Sequence, residues 1–245
     1  MMILRRLSQG AIELLNPARC LICGQLAGAD GHFCAMCERG LIDRAERCPR
    51  CATTVGPYSL IEGECPECRK EPPPFARASC LGSYRGPLKI AVLRMKNASG
   101  EGLAELLGRR WAMMHSLGEL PIDAIVPVPL HWWKQWRRGY NQSAGIARGV
   151  AMSKRLPIRR RWLRCVRQTA PQKTLQETAR RTNVLGAFRA ASAVLGKHIL
   201  LVDDVMTTGA TSEEAARTLR RAGAARVTVA VLARVTSGEP DDPSV

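Results

Sequence analysis

The chain has 245 residues, 46% of them hydrophobic and 24% charged, with a formal net charge of +16 at pH 7. That length holds one full domain with a sizeable core and a small extra module, and no apolar run approaches the roughly 18 to 20 residues that span a bilayer. The charge is local: residues 131 to 190 carry fifteen Lys or Arg against one acid, Glu177, which suits polyphosphate, nucleic acid or an acidic partner without choosing among them.

In residues 1 to 16, Ile3, Leu4, Leu7, Ala11, Leu14 and Leu15 recur at helical spacing. The stretch lacks the apolar core and small-residue cleavage site of a signal peptide, so it reads as a surface or packing helix, and a cytoplasmic location is expected. Four C-x-x-C pairs follow: Cys20/Cys23, Cys34/Cys37, Cys48/Cys51 and Cys65/Cys68. Two thiolates three positions apart on a tight turn can bind one tetrahedral Zn²⁺, and two such knuckles close an S₄ shell of the structural kind. Gly24, Pro49 and Pro66 supply turn chemistry. A reducing compartment disfavours disulfides. A redox C-x-x-C would be one pair beside a βαβ pattern, not four in a polar stretch. Two structural Zn²⁺ sites are therefore expected, with sequential pairing the simpler arrangement and an interleaved one left open. His32 reads as a bystander, since the cysteines already fill both shells. Cys80 and Cys165 stand alone and read as buried small hydrophobes.

So few large apolar residues lie in this segment that metal should supply most of its stability. Glu71-Pro-Pro-Pro-Phe75 then reads as a stiff extended linker. The chain is expected to divide into a cysteine module with its leading helix over 1–71, a second domain over 76–235 and a flexible tail over 236–245.

From Ala76 the pattern becomes α/β. Helices are predicted over Gly86 to Asn97, Gly102 to Leu117 and Ser212 to Ala222, and strands over Asp123 to Val126, Ile199 to Val202 and Val227 to Leu232. Alternating helices and buried strands imply a mainly parallel sheet. Between strand and helix lies Leu200-Leu-Val-Asp-Asp-Val-Met-Thr-Thr-Gly-Ala-Thr211. Asp203 and Asp204 are expected to leave the carboxyl end of the strand, where open α/β sheets place ligands. Adjacent carboxylates there can accept hydrogen bonds from vicinal ribose hydroxyls or hold a hydroxyl-bound Mg²⁺. Thr207, Thr208, Gly209, Ala210 and Thr211 bring hydroxyls and a flexible backbone to a helix N-terminus, which suits a phosphate monoester.

This segment resembles the ribose-5-phosphate loop of type I phosphoribosyltransferases. The resemblance implies that the two acids hold the ribose hydroxyls of phosphoribosyl pyrophosphate (PRPP), and Thr207 to Thr211 its 5′-phosphate. Arg137-Arg-Gly-Tyr-Asn-Gln142, Pro171-Gln172, Arg180-Arg-Thr-Asn183 and Gly186-Ala-Phe188 follow an order similar to the ComF competence-protein family. Membership implies a double zinc ribbon joined to a type I phosphoribosyltransferase-like domain, and a role in DNA uptake with competence-machinery proteins as partners. Arg137 and Arg138 suit a pyrophosphate loop, and Lys173, Arg180 and Arg181 a loop that closes over the ligand.

Catalysis does not follow from fold kinship. An active enzyme would displace pyrophosphate from PRPP with Mg²⁺ present, while no residue stands out as a base for an acceptor; His131 reads as a spacer. Trp132, Trp133, Trp136 and Trp162, set among arginines, suit single-stranded DNA, although burial in the core is the slightly favoured reading of these side chains.

Overall fold

The computed structural model describes residues 17–116, 121–131, 136, 139–167 and 183–235. The leading helix predicted over 1–16 and the tail over 236–245 lie outside them. Four strands, β1 (Arg77–Ser83), β2 (Ala124–Pro127), β5 (His198–Met206) and β6 (Arg226–Arg234), form one parallel sheet in the order β1-β6-β5-β2. A separate antiparallel pair joins β3 (Leu163–Cys165) to β4 (Phe188–Ala190). The helices of the α/β part are α3 (Gly86–Arg94), α4 (Glu101–Met114), α5 (Gln142–Lys154) and α6 (Ala210–Arg221), and two short ones, α1 (Ala35–Leu41) and α2 (Pro66–Lys70), lie among the cysteines.

Strand periodicity divides the core into two layers. Ile199, Leu201, Val227, Val229 and Val231 face α6 through Ala215, Ala216 and Leu219. Leu200, Val202, Ala230 and Leu232 face the opposite way, toward Leu88, Val92, Leu103, Leu107 and Trp111 of α3 and α4. Each large apolar side chain buried in these layers contributes roughly 1.5–3 kcal/mol. Helices α4 and α5 cross with almost no side chain between them. A Cβ on Gly149 would fall 2.0 Å from the Glu105 carbonyl oxygen, and one on Gly108 would fall 2.2 Å from that of Ile146. Only glycine permits this approach, which brings the first turn of α5 up to the end of β5.

The cysteine module is packed onto the α/β part. Cys20, Ile22, Phe33, Cys37 and Leu41 share the upper layer with α3 and α4, and Ala52 and Phe75 belong to the lower one. Phe75, at the end of the stretch read as a linker, is 2% exposed. The Asp43 carboxylate accepts from the Arg47 guanidinium at 2.8 Å and from the Ser83 backbone N–H at 2.6 Å, Ala78 N–H donates to the Pro49 carbonyl at 3.3 Å, and Arg110 pairs with Asp30 at 3.0 Å. Proline-rich sequence at 71–75 thus coincides with continuous packing in space.

Candidate functional site

The eight paired cysteines gather into two groups, Cys20, Cys23, Cys34 and Cys37 in one and Cys48, Cys51, Cys65 and Cys68 in the other, with ligand atoms inside 4.8 Å of one another in each. The knuckles are thus grouped in sequential order. All eight thiols are free of disulfides. Cys23 Sγ lies 3.6 Å from Cys34 Sγ, and Cys51 Sγ lies 3.7 Å from Cys65 Sγ. Tetrahedral coordination at a Zn–S distance of about 2.3 Å sets its sulfurs about 3.8 Å apart, so both quartets fit Zn²⁺. Backbone N–H groups of Ile22, Cys37 and Cys65 approach Sγ of Cys20, Cys34 and Cys48 at 3.4 Å, as donors to thiolates would. Burial pushes the Cys37 thiol far up, and its three neighbours add to that. Burial also opposes ionisation of Cys20, but N–H donors from Cys23, Cys34 and Ile22 outweigh it and bring the thiol down to about 6. Such a quartet ionises in full only around a cation. His32 stands outside both groups. Cys80 is buried, as expected, whereas Cys165, at the end of β3 on the same face as buried Leu163, is only half-buried.

In the α/β part, β5 runs four residues beyond the predicted end at Val202, because β6 continues beside it: Asp203 pairs with Val231, Val205 with Ala233 and Met206 with Arg234. The two acids therefore sit on a paired strand rather than in a turn. Asp203 is 8% exposed, and its Oδ1 accepts from Ser143 Oγ and from the Asp204 N–H, both at 2.9 Å. Burial and then the Asp204 charge push its carboxyl up to about 8, against the hydrogen bonds from Asp204 and Ser143 and the positive charge of Lys96. Asp204 is half-buried, with Oδ1 accepting from the Val205 N–H at 2.7 Å. A buried acid beside a second carboxylate at a strand end is a candidate functional group.

Thr207, Thr208 and Gly209 then turn the chain into α6. Gly209 has φ +89°, a left-handed conformation that a side chain would strain. Thr208 Oγ1 accepts from the Ala210 N–H at 3.4 Å, and Thr211 lies half-buried in the first helical turn. The helix begins at Ala210, two residues before the predicted Ser212. Two acids, three threonines and a helix N-terminus thus share one edge of the sheet, as a phosphorylated sugar requires.

Ser143, Lys96 and Arg234 complete this surroundings and carry no signal in the sequence, since they arrive from α5, the turn after α3 and the end of β6. Tyr140 and Asn141 explain why Ser143 arrives. The Tyr140 hydroxyl donates to the Met95 carbonyl. Asn141 donates to the Val128 carbonyl at 3.0 Å and accepts from the Ser143 N–H at 3.0 Å, capping α5. In the Gly186-Ala-Phe188 segment, the Gly186 N–H donates to buried Glu214 of α6 at 3.0 Å and Ala187 is fully buried, so this motif anchors β4. Arg137, Arg138, Lys173, Arg180 and Arg181, read as pyrophosphate and closing-loop residues, lie outside the described residues, as do Trp132 and Trp133. Against the burial expected of the tryptophans, Trp136 is 78% exposed; Trp162 is half-buried against the lower layer.

Two domain families match the chain. A double zinc ribbon domain family matches residues 11–69 and a phosphoribosyl transferase domain family matches residues 142–244. The chain is 36% identical over 236 residues to the DNA utilization protein YhgH of Salmonella typhi, covering 90% of this chain and 99% of the relative. It is 31% identical over 227 residues to competence protein F of Haemophilus influenzae, covering 88% and 96%. The chain belongs to the ComF family. Among solved structures, the allosteric regulatory enzyme of purine biosynthesis is similar at 24% identity and a TM-score of 0.39, over 54% of this chain and 26% of that one. In this ComF-family chain, a double zinc ribbon and a parallel-sheet phosphoribosyltransferase-like fold are built as one packed body, and no described helix is long and apolar enough to cross a membrane.

Proposed function

We propose that this ComF-family protein binds PRPP with Mg²⁺ at the carboxyl edge of β5 and acts in cytoplasmic handling of DNA during uptake. The observation that carries the ligand is the buried Asp203, held by Ser143 and followed within eight residues by the threonine loop and the α6 N-terminus. Asp203 and Asp204 would take the ribose hydroxyls, Thr207 to Thr211 the 5′-phosphate, and Arg137, Arg138, Lys173, Arg180 and Arg181 the pyrophosphate. Mg²⁺ would screen the charge between pyrophosphate and ribose. Cys20, Cys23, Cys34 and Cys37 would hold one Zn²⁺ and Cys48, Cys51, Cys65 and Cys68 the other, within a ribbon module ending near residue 71. PRPP with Mg²⁺ is expected to raise the melting temperature of the protein, and Asp203→Ala combined with Asp204→Ala to abolish the rise. A wild-type protein that does not respond to PRPP refutes the assignment.

The DNA reading rests on a separate observation. Arg159, Arg160, Arg161, Arg164 and Arg189 are all exposed, with Arg164 directly opposite Arg189 across β3 and β4. Like charges so placed repel one another, and a phosphate backbone would relieve them. Exposed Trp136 offers a stacking surface. Single-stranded DNA should bind this protein with a steep salt dependence; salt-insensitive binding would remove the arginine surface from consideration. Turnover of PRPP by an acceptor nucleophile is the alternative function, and pyrophosphate release in the presence of free bases would establish it.

A further inference from the structure

Arg234 ends β6 and its side chain folds back beneath the threonine loop. Nη1 donates to the Met206 carbonyl at 3.0 Å, to the Thr207 carbonyl and to the Val235 carbonyl at 3.1 Å, while Nε donates to the Cys51 carbonyl at 3.2 Å. The backbone around it is fixed as well: Val235 N–H donates to the Met206 carbonyl at 3.0 Å, and Tyr84 N–H to the Arg234 carbonyl at 2.9 Å. One guanidinium therefore joins the start of the phosphate loop to a knuckle of the second zinc ribbon. The residue after that knuckle is equally constrained. Ala52 is 1% exposed with φ +58°, and its carbonyl accepts from Arg47 at 2.9 Å.

The peptide bond turns this link into a directional one. In a planar trans peptide, C=O and N–H point opposite ways, and the described residues contain no cis peptide. With the Met206 and Thr207 carbonyls drawn toward Arg234, the N–H groups of Thr207 and Thr208 point away from it. The guanidinium also places a cation behind amides that would receive an anion. Its Nε donor is taken by the carbonyl of Cys51, itself a member of the Cys48, Cys51, Cys65 and Cys68 quartet, where Cys51 and Cys65 sulfurs lie 3.7 Å apart.

We propose that Arg234 is a positioning residue through which the second zinc ribbon sets the phosphate loop, so that Zn²⁺ in the Cys48 quartet and a phosphorylated ligand at Thr207 to Thr211 strengthen each other's binding. The proposal rests on the PRPP reading of that loop. Coupling between two sites is reciprocal: whatever the metal does for the ligand, the ligand does for that metal. Among the described residues the first quartet has no such bridge to the loop, being joined instead to α3 and α4 through the upper core layer. Coupling is therefore confined to one of the two zinc sites.

The test uses the full-length, zinc-loaded protein with PRPP and Mg²⁺, and reads two quantities: PRPP affinity by calorimetry, and alkylation of each cysteine by N-ethylmaleimide under a chelator, resolved by mass spectrometry. In the wild type, saturating PRPP is expected to slow labelling of Cys48, Cys51, Cys65 and Cys68 by about tenfold and to leave Cys20, Cys23, Cys34 and Cys37 within about twofold. Arg234→Gln should weaken PRPP binding by about tenfold or more and remove the protection, with two zinc ions still bound. Arg234→Lys keeps a cation under the loop and has no donor at the Nε position. It should hold PRPP within about threefold of wild type while losing the protection, and it serves as the deciding variant if Arg234→Gln fails to retain zinc. A wild-type protein that does not bind PRPP removes the ligand reading on which the proposal stands. Wild-type binding with equal protection of both quartets or of neither overturns the coupling itself. So does undiminished protection in Arg234→Lys.

Discussion

Replacing Asp203 with asparagine isolates what it costs this chain to bury an acid beneath its ligand site. The amide keeps the shape and an oxygen that can accept from Ser143 Oγ and the Asp204 N–H, both 2.9 Å away in the wild type, and removes only the ability to ionise. Burial and the neighbouring Asp204 charge hold the folded-state carboxyl up at about 8, whereas in an unfolded chain it titrates near its ordinary value of about 3.9. Between those values the folded protein keeps a proton that the unfolded chain has lost. This contribution to stability is complete below about pH 3.9 and is lost as pH rises through about 8, with a slope of up to about 1.4 kcal/mol per pH unit. The slope flattens near the upper end, so from pH 6 to pH 8 the wild type should lose about 2 kcal/mol relative to the variant. Urea denaturation of both zinc-loaded proteins at pH 6, 7 and 8, without PRPP, measures that difference, and titration of the zinc thiolates cancels because both proteins share it. Stability curves that run parallel across the range would refute the claim that this carboxyl is held protonated.

Two further expectations follow from the packing. Ser143→Ala leaves one oxygen of a buried acid with a single donor, and should weaken PRPP binding by about tenfold, the equivalent of about 1.4 kcal/mol, with little change in zinc content; calorimetry on the variant decides it. Removing both zinc ions with a chelator should lower the melting temperature of the whole chain in one transition, because Phe33 and Leu41 beside the first quartet share a core layer with α3 and α4. Calorimetric melting that keeps an unshifted second transition would contradict that shared core.

The central unit was legible because its signals are local. Ile199 to Val202 is a continuous apolar run of strand length, and the acids, threonines and Gly209 stand next to it in the chain, so strand, loop and α6 could be read together. The same locality exposed the eight cysteines. Strand β1 was missed, since Arg77-Ala-Ser-Cys-Leu-Gly-Ser83 has no β-branched residue and becomes a strand only by pairing with β6 and lying under the ribbons. Helix α5 was missed for a related reason: its small residues Gly145 and Gly149 serve close contact with α4, and such a face gives a weak amphipathic pattern. The partners of the site, Ser143 and Arg234, come from 60 residues before Asp203 and from 27 or 28 residues beyond the loop carbonyls. Periodicity in sequence says nothing about encounters at that separation.

The sharing of one apolar layer between the first zinc ribbon and α3 and α4 also determines what shortened forms of the protein can be. Leu81, Leu88, Val92 and Leu103 are at most 6% exposed, and Ile22, Phe33 and Leu41 lie in the same layer. A chain started at residue 76 would offer part of that greasy wall to solvent, and would satisfy it by clinging to another copy or to a chaperone. Behaviour recorded from such a fragment, including any tendency to form dimers, would describe the wound left by the cut.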